Sequence, residues 1–352
     1  MLLDFKTPPK SICLLRLSAI GDVTHMLPVI HTIRTHSPET KITWIIGKPE
    51  AKLVGDIPNV EFIIFDKTKG WRSFFNLQKH LRGREFDLLL LMQVSLRANI
   101  ASLFVKSPIK LGFDCTRSRD FHGLFVTHRI PMKPEHVLDS FLSFLGHVGF
   151  SDYTRVWDIP NNIEAQKHAE SILPGDQNTL VISPCSKHLN RNWSPANYAA
   201  VSDYIIEQYG YRVLIVGGNT AFESDFVSQI KACLKYPITD LVGKTSLKEL
   251  LAVLKRSTVL ISPDSGPAHM GTCAGIPVIG LYAATNVARA RPYLSEKWCV
   301  DKYDAACQKF LNKKSSEVVW GYKIRKKNVM DLISVKDVLT KIDMLAGNKN
   351  KV

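Results

Sequence analysis

Short apolar runs alternate with amphipathic helical patterns along almost the whole chain, and this alternation restricts the folds open to it. In the first half, runs of strand length occur at 11–17, 41–46, 60–65, 86–92 and 109–113. Helical patterns lie between several of these runs, and a longer one at 135–150 closes this half. Parallel strands need crossover connections, which are usually helices. The pattern therefore predicts an α/β protein whose parallel sheets are covered by helices on both faces.

The pattern is interrupted once and then restarts. Residues 151–162 contain several turn residues together with Pro160 and are typical of a linker. A second series of strand-like runs follows at 178–186, 212–220, 238–243, 258–266 and 276–286. Because 352 residues exceed what one small core supports, two domains are expected. We predict doubly wound, Rossmann-like parallel-sheet domains over 1–160 and 161–330, followed by a helix and tail over 331–352.

Two basic segments account for the whole excess of positive over negative charge in the chain. The formal net charge is +14; residues 66–133 hold 13 Lys/Arg against 5 Asp/Glu, and residues 302–352 hold 12 against 5. Such surfaces favour an anionic partner, either nucleic acid, an anionic membrane or a phosphorylated substrate. A solubilising surface explains the same surplus. The second basic segment is expected to be loop-rich after about residue 305 and helical over 335–345.

Other features limit the cellular context. No apolar run approaches the ~18 residues that span a bilayer, and the first ten residues lack the apolar core of a signal peptide. The seven cysteines are scattered and form no C-x-x-C pair, which argues against a disulfide framework and against a zinc site. We therefore expect a cytoplasmic protein with reduced thiols.

The stretch "LISPDSGPAHMGTCAGIPVIGLY" (260–282) is the most specific motif in the chain. It predicts a strand, a polar turn at Asp264, Ser265 and Gly266, and then a helix that carries His269. Glycine permits close approach of the backbone, and a helix N-terminus with a nearby hydroxyl donor favours an anion. The alternative is that Asp264 only caps the helix and that His269 only packs.

Two further loops follow strands of the same predicted sheet. Ser186, Lys187 and Arg191 come after the first of these strands and offer donors to a diphosphate, and Glu223 follows the next and is suited to accept from ribose hydroxyls. Together with the Asp264 turn, these loops predict a nucleotide-diphosphate site. Neither a P-loop nor a G-x-G-x-x-G motif follows any strand, which disfavours an ATPase or a Rossmann dehydrogenase.

A carboxylate stands in the turn after the first strand. The sequence "ICLLRLSAIGDVTHMLPVIHTIR" (12–34) predicts a strand, a turn ending at Asp22, and a helix. Phosphate-binding turns at this position usually present glycines and amides, so an acidic residue needs another explanation. One explanation is that Asp22 caps a helix that begins near Val23.

Together these motifs resemble glycosyltransferase family 9, the ADP-heptose:lipopolysaccharide heptosyltransferases. The resemblance covers nearly the whole chain and rests on "RLSAIGDVTHMLP", "SPCSKHLNRNW" and "SPDSGPAHMGTCAGIPVIGLYAATN". It implies the GT-B fold, in which two Rossmann-like domains face each other, and transfer of heptose from ADP-heptose. The segment "PYLSEKWCVDKY" is most similar to the branch that adds the first heptose of the inner core.

The resemblance implies that Asp22 is the catalytic base. A sugar hydroxyl has too high a pKa to attack at neutral pH, so a positioned carboxylate must accept its proton. The leaving diphosphate is expected to be stabilised by Lys187, Arg191 and the turn after Asp264, so inversion by single displacement requires no general acid. No D-x-D motif follows a strand, and neither a metal nor a cofactor is expected.

The implied acceptor is the sugar 3-deoxy-manno-octulosonic acid (Kdo) on lipid A, whose carboxylate and phosphates match the first basic segment. Expected acceptor contacts are Gly21, Gln93, Arg97, Arg117, Arg119 and His136. Arg117 and Arg119 are the stronger candidates because they lie in a loop directly after a strand. An ordinary surface or packing role is the alternative for each residue.

Cationic and aromatic residues are interleaved in the same segment. They are Lys67, Lys69, Trp71, Arg72, Phe74, Phe75 and Leu77. This composition predicts peripheral contact with the anionic cytoplasmic face of the inner membrane. A core-facing amphipathic helix explains the same spacing.

Two other functions remain open on the sequence. A GT-B sugar-nucleotide epimerase would share the donor half but would leave the basic segment 66–133 unexplained. A nucleic-acid-binding protein is suggested by charge alone, and the chain has no recognisable RNA- or DNA-binding module, so no nucleic-acid partner is expected.

Overall fold

The computed structural model describes residues 8–349 and divides into two compact units, Met1–Pro160 and Asn161–Val352. The described part of the chain contains twelve strands and fourteen α-helices. Each unit is built on one six-stranded parallel sheet, which confirms the predicted doubly wound α/β class.

The sheet of the first domain has the order β3-β2-β1-β4-β5-β6. Its strands are β1 (Ser11–Leu15), β2 (Lys41–Gly47), β3 (Val60–Phe65), β4 (Leu88–Leu91), β5 (Ile109–Gly112) and β6 (His128–Arg129). Its helices are α1 (Ile20–Thr24), α2 (Met26–His36), α3 (Lys48–Val54), α4 (Arg72–Leu81), α5 (Leu96–Leu103) and α6 (Val137–His147).

The sheet of the second domain has the order β12-β11-β10-β7-β8-β9. Its strands are β7 (Thr179–Ile182), β8 (Arg212–Ile215), β9 (Thr239–Asp240), β10 (Val259–Pro263), β11 (Val278–Tyr282) and β12 (Val300–Asp301). Its helices are α7 (Ile163–Ile172), α8 (Pro195–Tyr209), α9 (Ala221–Ala232), α10 (Leu247–Lys255), α11 (Gly266–Ala274), α12 (Val287–Ala290), α13 (Tyr303–Leu311) and α14 (Val335–Lys349).

Burial on both faces explains why the central strands are so apolar. Every residue of β4, whose sequence is LLLL, is fully buried, and β10 and β11 are buried along their whole lengths. A parallel strand that alternated polar and apolar residues would place polar groups under a helix, where they lose water. The continuous apolar runs of the sequence are therefore the direct signature of these strands.

Helix starts follow local chemistry where the sequence has a good cap. The hydroxyls of Ser194 and Ser246 each accept from a backbone N–H in the first helical turn, and Glu249 completes a capping box with Ser246. The alternative explanation for Asp22, as the N-cap of a helix that begins near Val23, was wrong. The helix α1 begins at Ile20 rather than near Val23, so Asp22 lies inside the first turn and is not the N-cap.

Other differences arise from short or amphipathic elements. The two-residue edge strands β6 and β12 were not predicted, because two residues give no period. The expectation of loop structure after about residue 305 was wrong for the helix α13, which buries Tyr303, Ala306 and Cys307 on one face. The helix was missed because most of its residues are polar and its apolar residues form only a narrow stripe at helical spacing.

Candidate active site

Both sheets reverse strand order at their centre, and the polar loops of interest lie at these reversals. In the first domain the reversal is between β1 and β4, and in the second it is between β7 and β10. The crevice at the carboxyl ends of such a strand pair is the usual ligand site of an open α/β sheet. The two candidate sites are described separately below.

The carboxylate of Asp22 is fixed at the carboxyl end of β1. It forms an ion pair with Arg16 and lies 3.4 Å from the backbone nitrogen of Ala19, the N-cap of α1, which donates to it. The Asp22 side chain is 33% exposed, whereas that of Arg16 is 12% exposed. A carboxylate with partial access to solvent is thus held at the first turn of a helix.

Sequence reasoning missed Arg16, which positions this carboxylate. Its guanidinium also donates to the Met92 carbonyl at the end of β4 and lies 5.0 Å from the ring centroid of Phe141 on α6. The guanidinium therefore joins two neighbouring strand ends to a helix while it contacts Asp22. The available signal was an arginine directly after a buried strand and six residues before the acid.

Two predicted acceptor residues lie beside this turn but have structural partners. The Oε1 atom of Gln93 accepts from the Leu17 backbone nitrogen at 2.7 Å, and its Nε2 atom is 3.3 Å from the Ser18 hydroxyl. Gly21 is buried, and its carbonyl accepts from the Thr24 hydroxyl at 2.7 Å. Both residues shape the turn that presents Asp22.

The predicted acceptor residues Arg117 and His136 are tied into the first domain. Arg117 donates to Asp114, to Ser140 and, at 3.0 Å, to the Pro131 carbonyl. His136 is 3% exposed and caps α6, because its Nδ1 atom accepts from a backbone nitrogen of the first turn. These contacts favour a positioning role over direct acceptor contact for both side chains.

Arg97 and Arg119 are exposed instead, and their segments lie side by side. The carboxylate of Asp120 accepts from the Leu96 backbone nitrogen at 2.9 Å, and its carbonyl accepts from Asn99 at 2.8 Å. These bonds bring the residue next to Arg119 against the start of α5, which carries Arg97. Two exposed arginines therefore lie on neighbouring segments.

In the second domain three predicted donor residues meet at the ends of β7 and β10. Arg191 pairs with the Asp264 carboxylate at 2.9 Å and donates to the Asp264 carbonyl at 3.2 Å, and the Ser186 hydroxyl donates to the same carbonyl at 3.0 Å. The side chains of Arg191 and Asp264 are 10% and 15% exposed. Asp264 thus pairs across the two loops and does not cap α11.

The N-terminus of α11 keeps the features predicted for an anion site. Its N-cap is Ser265, whose hydroxyl lies 2.8 Å from that of Ser262 and makes no cap bond to the helix, and Pro267 occupies the first turn. Gly266 begins the helix, and His269 is 8% exposed one turn further in. The backbone N–H groups in the first turn of a helix have no partner within the helix, and Pro267 has no N–H to leave unpaired.

The other two predicted donor residues differ in their contacts: Glu223 is hydrogen-bonded within its own domain, whereas Lys187 is exposed. Glu223 accepts from the Gly218 backbone nitrogen at 2.9 Å and from the Thr220 hydroxyl at 2.7 Å, so it stabilises the start of α9. Lys187 is exposed and lies beside Ser186 at the end of β7. If Glu223 binds ribose hydroxyls, its carboxylate must accept from them in addition to these two hydrogen bonds.

Sequence comparison assigns the chain to a family. Its residues 74–320 match the profile of glycosyltransferase family 9 (heptosyltransferase). The chain is also 39% identical over 343 residues to the lipopolysaccharide core heptosyltransferase OpsX of Haemophilus influenzae, an alignment that covers 97% of this chain and 98% of the relative. The chain belongs to glycosyltransferase family 9.

Solved structures with lower sequence identity show the same fold. A family 9 glycosyltransferase of Veillonella parvula is 22% identical with a TM-score of 0.79, and 96% and 98% of the two chains are covered. The Escherichia coli heptosyltransferase WaaC with ADP is 17% identical with a TM-score of 0.68, and 95% and 99% are covered. The predicted GT-B fold class and the predicted heptosyltransferase family are therefore confirmed.

Two features are absent from the described part of the heptosyltransferase. Among residues 8–349, no group of three or more His, Cys, Asp or Glu side chains is placed to hold a metal ion. Within the same residues, no helix combines the length and apolar character needed to cross a membrane. The acid Asp203 on α8 accepts from the backbone nitrogens of Lys235 and Tyr236, which gives it a structural role.

The loop that carries Arg119 depends on a buried neutral histidine. His122 is fully buried; its Nε2 atom accepts from the Phe113 backbone nitrogen at 3.2 Å, and its Nδ1 atom lies 2.8 Å from the Asn99 Oδ1 atom, to which it donates. Burial, with a smaller contribution from the nearby charge of Arg129, lowers the pKa of His122 to about 4. Protonation would remove the acceptor that closes the loop.

The free energy of unfolding is therefore expected to fall as the pH decreases from about 6.5 to about 4. In this window the unfolded histidine binds a proton that the folded one does not, which costs up to about 3 kcal/mol. Urea unfolding at several pH values should show a shallower acid dependence for His122→Gln than for wild type. The exposed control His80→Gln should keep the wild-type dependence, and equal slopes for all three proteins would refute the assignment.

Proposed function

We propose that this heptosyltransferase transfers the first heptose from ADP-heptose to the Kdo of the lipid A-linked lipopolysaccharide inner core, with inversion and with Asp22 as general base. The observation that carries the proposal is a carboxylate held by Arg16 at the reversal point of the first sheet. The Haemophilus influenzae relative is named a lipopolysaccharide core heptosyltransferase, and the similar WaaC structure contains ADP. Both names support this substrate class.

The proposed step is a single displacement at carbon coupled to one proton transfer. The oxygen of a Kdo hydroxyl attacks the anomeric carbon of heptose while the bond from that carbon to the β-phosphate oxygen breaks. Asp22 accepts the hydroxyl proton, and ADP leaves with the bonding electrons. The contact with Arg16 orients the carboxylate, and the ionised form of a carboxylate is the one that accepts a proton.

The second domain has the groups that a departing diphosphate needs. Arg191 is fixed by Asp264, Lys187 is exposed beside it, and the first turn of α11 presents backbone donors. Because these groups are already ordered, they stabilise developing negative charge without reorganising during the reaction. The same arrangement suits binding of the intact donor.

The exposed cations of the first domain suit an anionic acceptor. Arg97 follows β4, the immediate neighbour of β1, and Arg119 follows β5. Adjacent strands lie about 5 Å apart, so these segments start within roughly 10 Å of the Asp22 turn along the sheet edge. The guanidinium groups that these segments carry are suited to the carboxylate of Kdo and to the phosphates of lipid A.

The product identifies the activity. The protein incubated with ADP-heptose and Kdo-bearing lipid A should give one added heptose by mass spectrometry, ADP in equal amount, and an inverted anomeric centre by NMR. Incubation with ADP-heptose alone should give no new sugar nucleotide. An epimerised nucleotide sugar without acceptor would support the epimerase instead, and loss of ADP without heptose transfer would contradict the proposal.

Asp22→Asn should reduce turnover by a factor on the order of 10² to 10⁴ and leave the donor dissociation constant within about twofold of wild type. The amide keeps the shape of the side chain but cannot accept the proton. Single-turnover rates and donor titration measure the two quantities. Near-normal turnover of Asp22→Asn would disprove the base assignment.

Two comparisons make this result specific. Asp152→Asn neutralises an exposed carboxylate of the same domain and should leave turnover unchanged. Arg191→Gln should instead weaken donor binding, because it removes a cation and leaves Asp264 without this partner. A drop in turnover at equal donor affinity for Arg191→Gln would mean that Arg191 acts on the transition state alone.

We also propose that the first domain contacts an anionic membrane surface through α4. The four apolar residues predicted for this contact divide into two pairs. Phe74 and Leu77 are buried in the core, whereas Trp71 and Phe75 are 69% and 68% exposed. The amphipathic-helix alternative therefore explains the first pair but not the second.

Exposed cations surround the exposed aromatic pair. A surface groove of about 630 Å³ is lined by Thr68, Lys69, Trp71, Arg72, Phe75 and Asn76. It follows β3 and so opens at the same sheet edge as the Asp22 turn. Aromatic side chains that insert at the headgroup level and cations that pair with phosphates are the composition of an interfacial anchor.

Trp71→Ala/Phe75→Ala should weaken binding to vesicles that contain anionic phospholipid by roughly tenfold, since two large apolar side chains leave the interface. Vesicle sedimentation measures the partition. The matched control Ile163→Ala/Met344→Ala removes two exposed apolar side chains of the second domain and should bind like wild type. Binding that is independent of anionic lipid and salt would overturn the proposal.

A further inference from the structure

A basic segment beyond the family profile lies against the donor loop of the second domain. The profile ends at residue 320, and the sequence continues with Tyr322, Lys323, Ile324 and Arg325. These residues belong to the second basic segment, for which a loop-rich structure was expected. The structure gives them a fixed position.

Three backbone contacts hold the segment in place. The Ile324 nitrogen donates to the Ala284 carbonyl at 2.9 Å, and the Ile324 carbonyl accepts from the Asn190 side chain at 2.7 Å. The Tyr322 carbonyl accepts from the Tyr303 hydroxyl at 2.9 Å. The segment is thus anchored both to the loop after β11 and to the loop that carries Arg191.

Side-chain alternation then places both cations on one side. Lys323 forms an antiparallel bridge with Thr285, and Ile324 is fully buried in the core of the domain. In extended backbone, successive side chains point to opposite faces, so Lys323 and Arg325 both lie on the face opposite Ile324. Both residues are exposed.

The charges of these cations reach the donor loop. His188 lies between Ser186 and Arg191, and its pKa is lowered by partial burial and by the positive charges of Arg191, Lys323, Lys187 and Arg325. Two cations of the loop and two of the anchored segment therefore act on one imidazole. Arg191 is paired with Asp264, and the positive potential that the other three cations add at this loop favours binding of an anion.

We propose that Lys323 and Arg325 are donor-binding residues, which extend the cationic site at Lys187 and Arg191 and bind the diphosphate of the nucleotide sugar. This inference rests on the proposed function, because it assigns a nucleoside diphosphate to that site. The segment lies outside the family profile, and its bond from Asn190 places it beside the loop that carries Lys187 and Arg191. An exposed solubilising tail would need neither the bond from Asn190 nor the buried Ile324.

The test compares two double variants with the same change in charge. Lys323→Gln/Arg325→Gln keeps side-chain length and all backbone anchors, whereas Lys326→Gln/Lys327→Gln removes two exposed cations just beyond them. Calorimetric titration with ADP, AMP and adenosine at low and moderate salt separates the phosphate contribution from that of the nucleoside. ADP-heptose turnover of the wild-type protein is measured in parallel.

The first variant should bind ADP about tenfold more weakly than wild type, with a smaller salt dependence and unchanged adenosine affinity, because exposed charge pairs each contribute roughly threefold. The control should remain within about twofold. Equal losses in both variants, or none in either, would overturn the inference while wild-type turnover still stands. A wild-type protein that neither binds ADP nor transfers heptose would refute the proposed function itself.

Discussion

Burial of the parallel strands on both faces is the constraint on which the rest of the molecule depends. With helices on each side, strands such as β4 and β11 have no polar surface of their own. Polar chemistry is therefore confined to the loops at the strand ends, and the reversal of strand order leaves a crevice at one place in each sheet. The two sheets share the same connectivity, so the same position in each carries the candidate functional groups.

Each crevice contains a carboxylate paired with an arginine, but the two pairs differ in how far they are exposed to solvent. In the first domain Asp22 is the more exposed partner, at 33% against 12% for Arg16, so the acid is presented and the arginine is fixed behind it. In the second domain both partners are mostly buried, at 10% for Arg191 and 15% for Asp264. The first arrangement suits proton acceptance, and the second rigidifies two loops around an anion site.

The fold was predictable because the apolar pattern is repeated in nearly every strand. For the site, the sequence predicted which loops are involved but not which side chains pair with each other. The motif at 260–282 located Asp264, yet its pairing with Arg191 required the two loops to be adjacent in space. Arg117 and Arg119 are two residues apart and chemically identical. Only the folded chain shows that Arg117 is used by Asp114, Ser140 and the Pro131 carbonyl, while Arg119 remains exposed. Arg16 was missed because a single arginine after a strand has no period.

Buried and exposed cations have different effects in the second domain. The buried one keeps the loops ordered, whereas the exposed ones attract an anion from solution. The Arg191–Asp264 pair is shielded from solvent, so salt screens it weakly and its geometry persists when no ligand is bound. Lys187, Lys323 and Arg325 are exposed, so their pull on an anion falls as ionic strength rises. A site built in this way keeps its shape at any salt concentration while its affinity for a diphosphate depends on salt. In the proposed donor site, the geometry of the loops and the long-range attraction of the donor therefore depend on different residues.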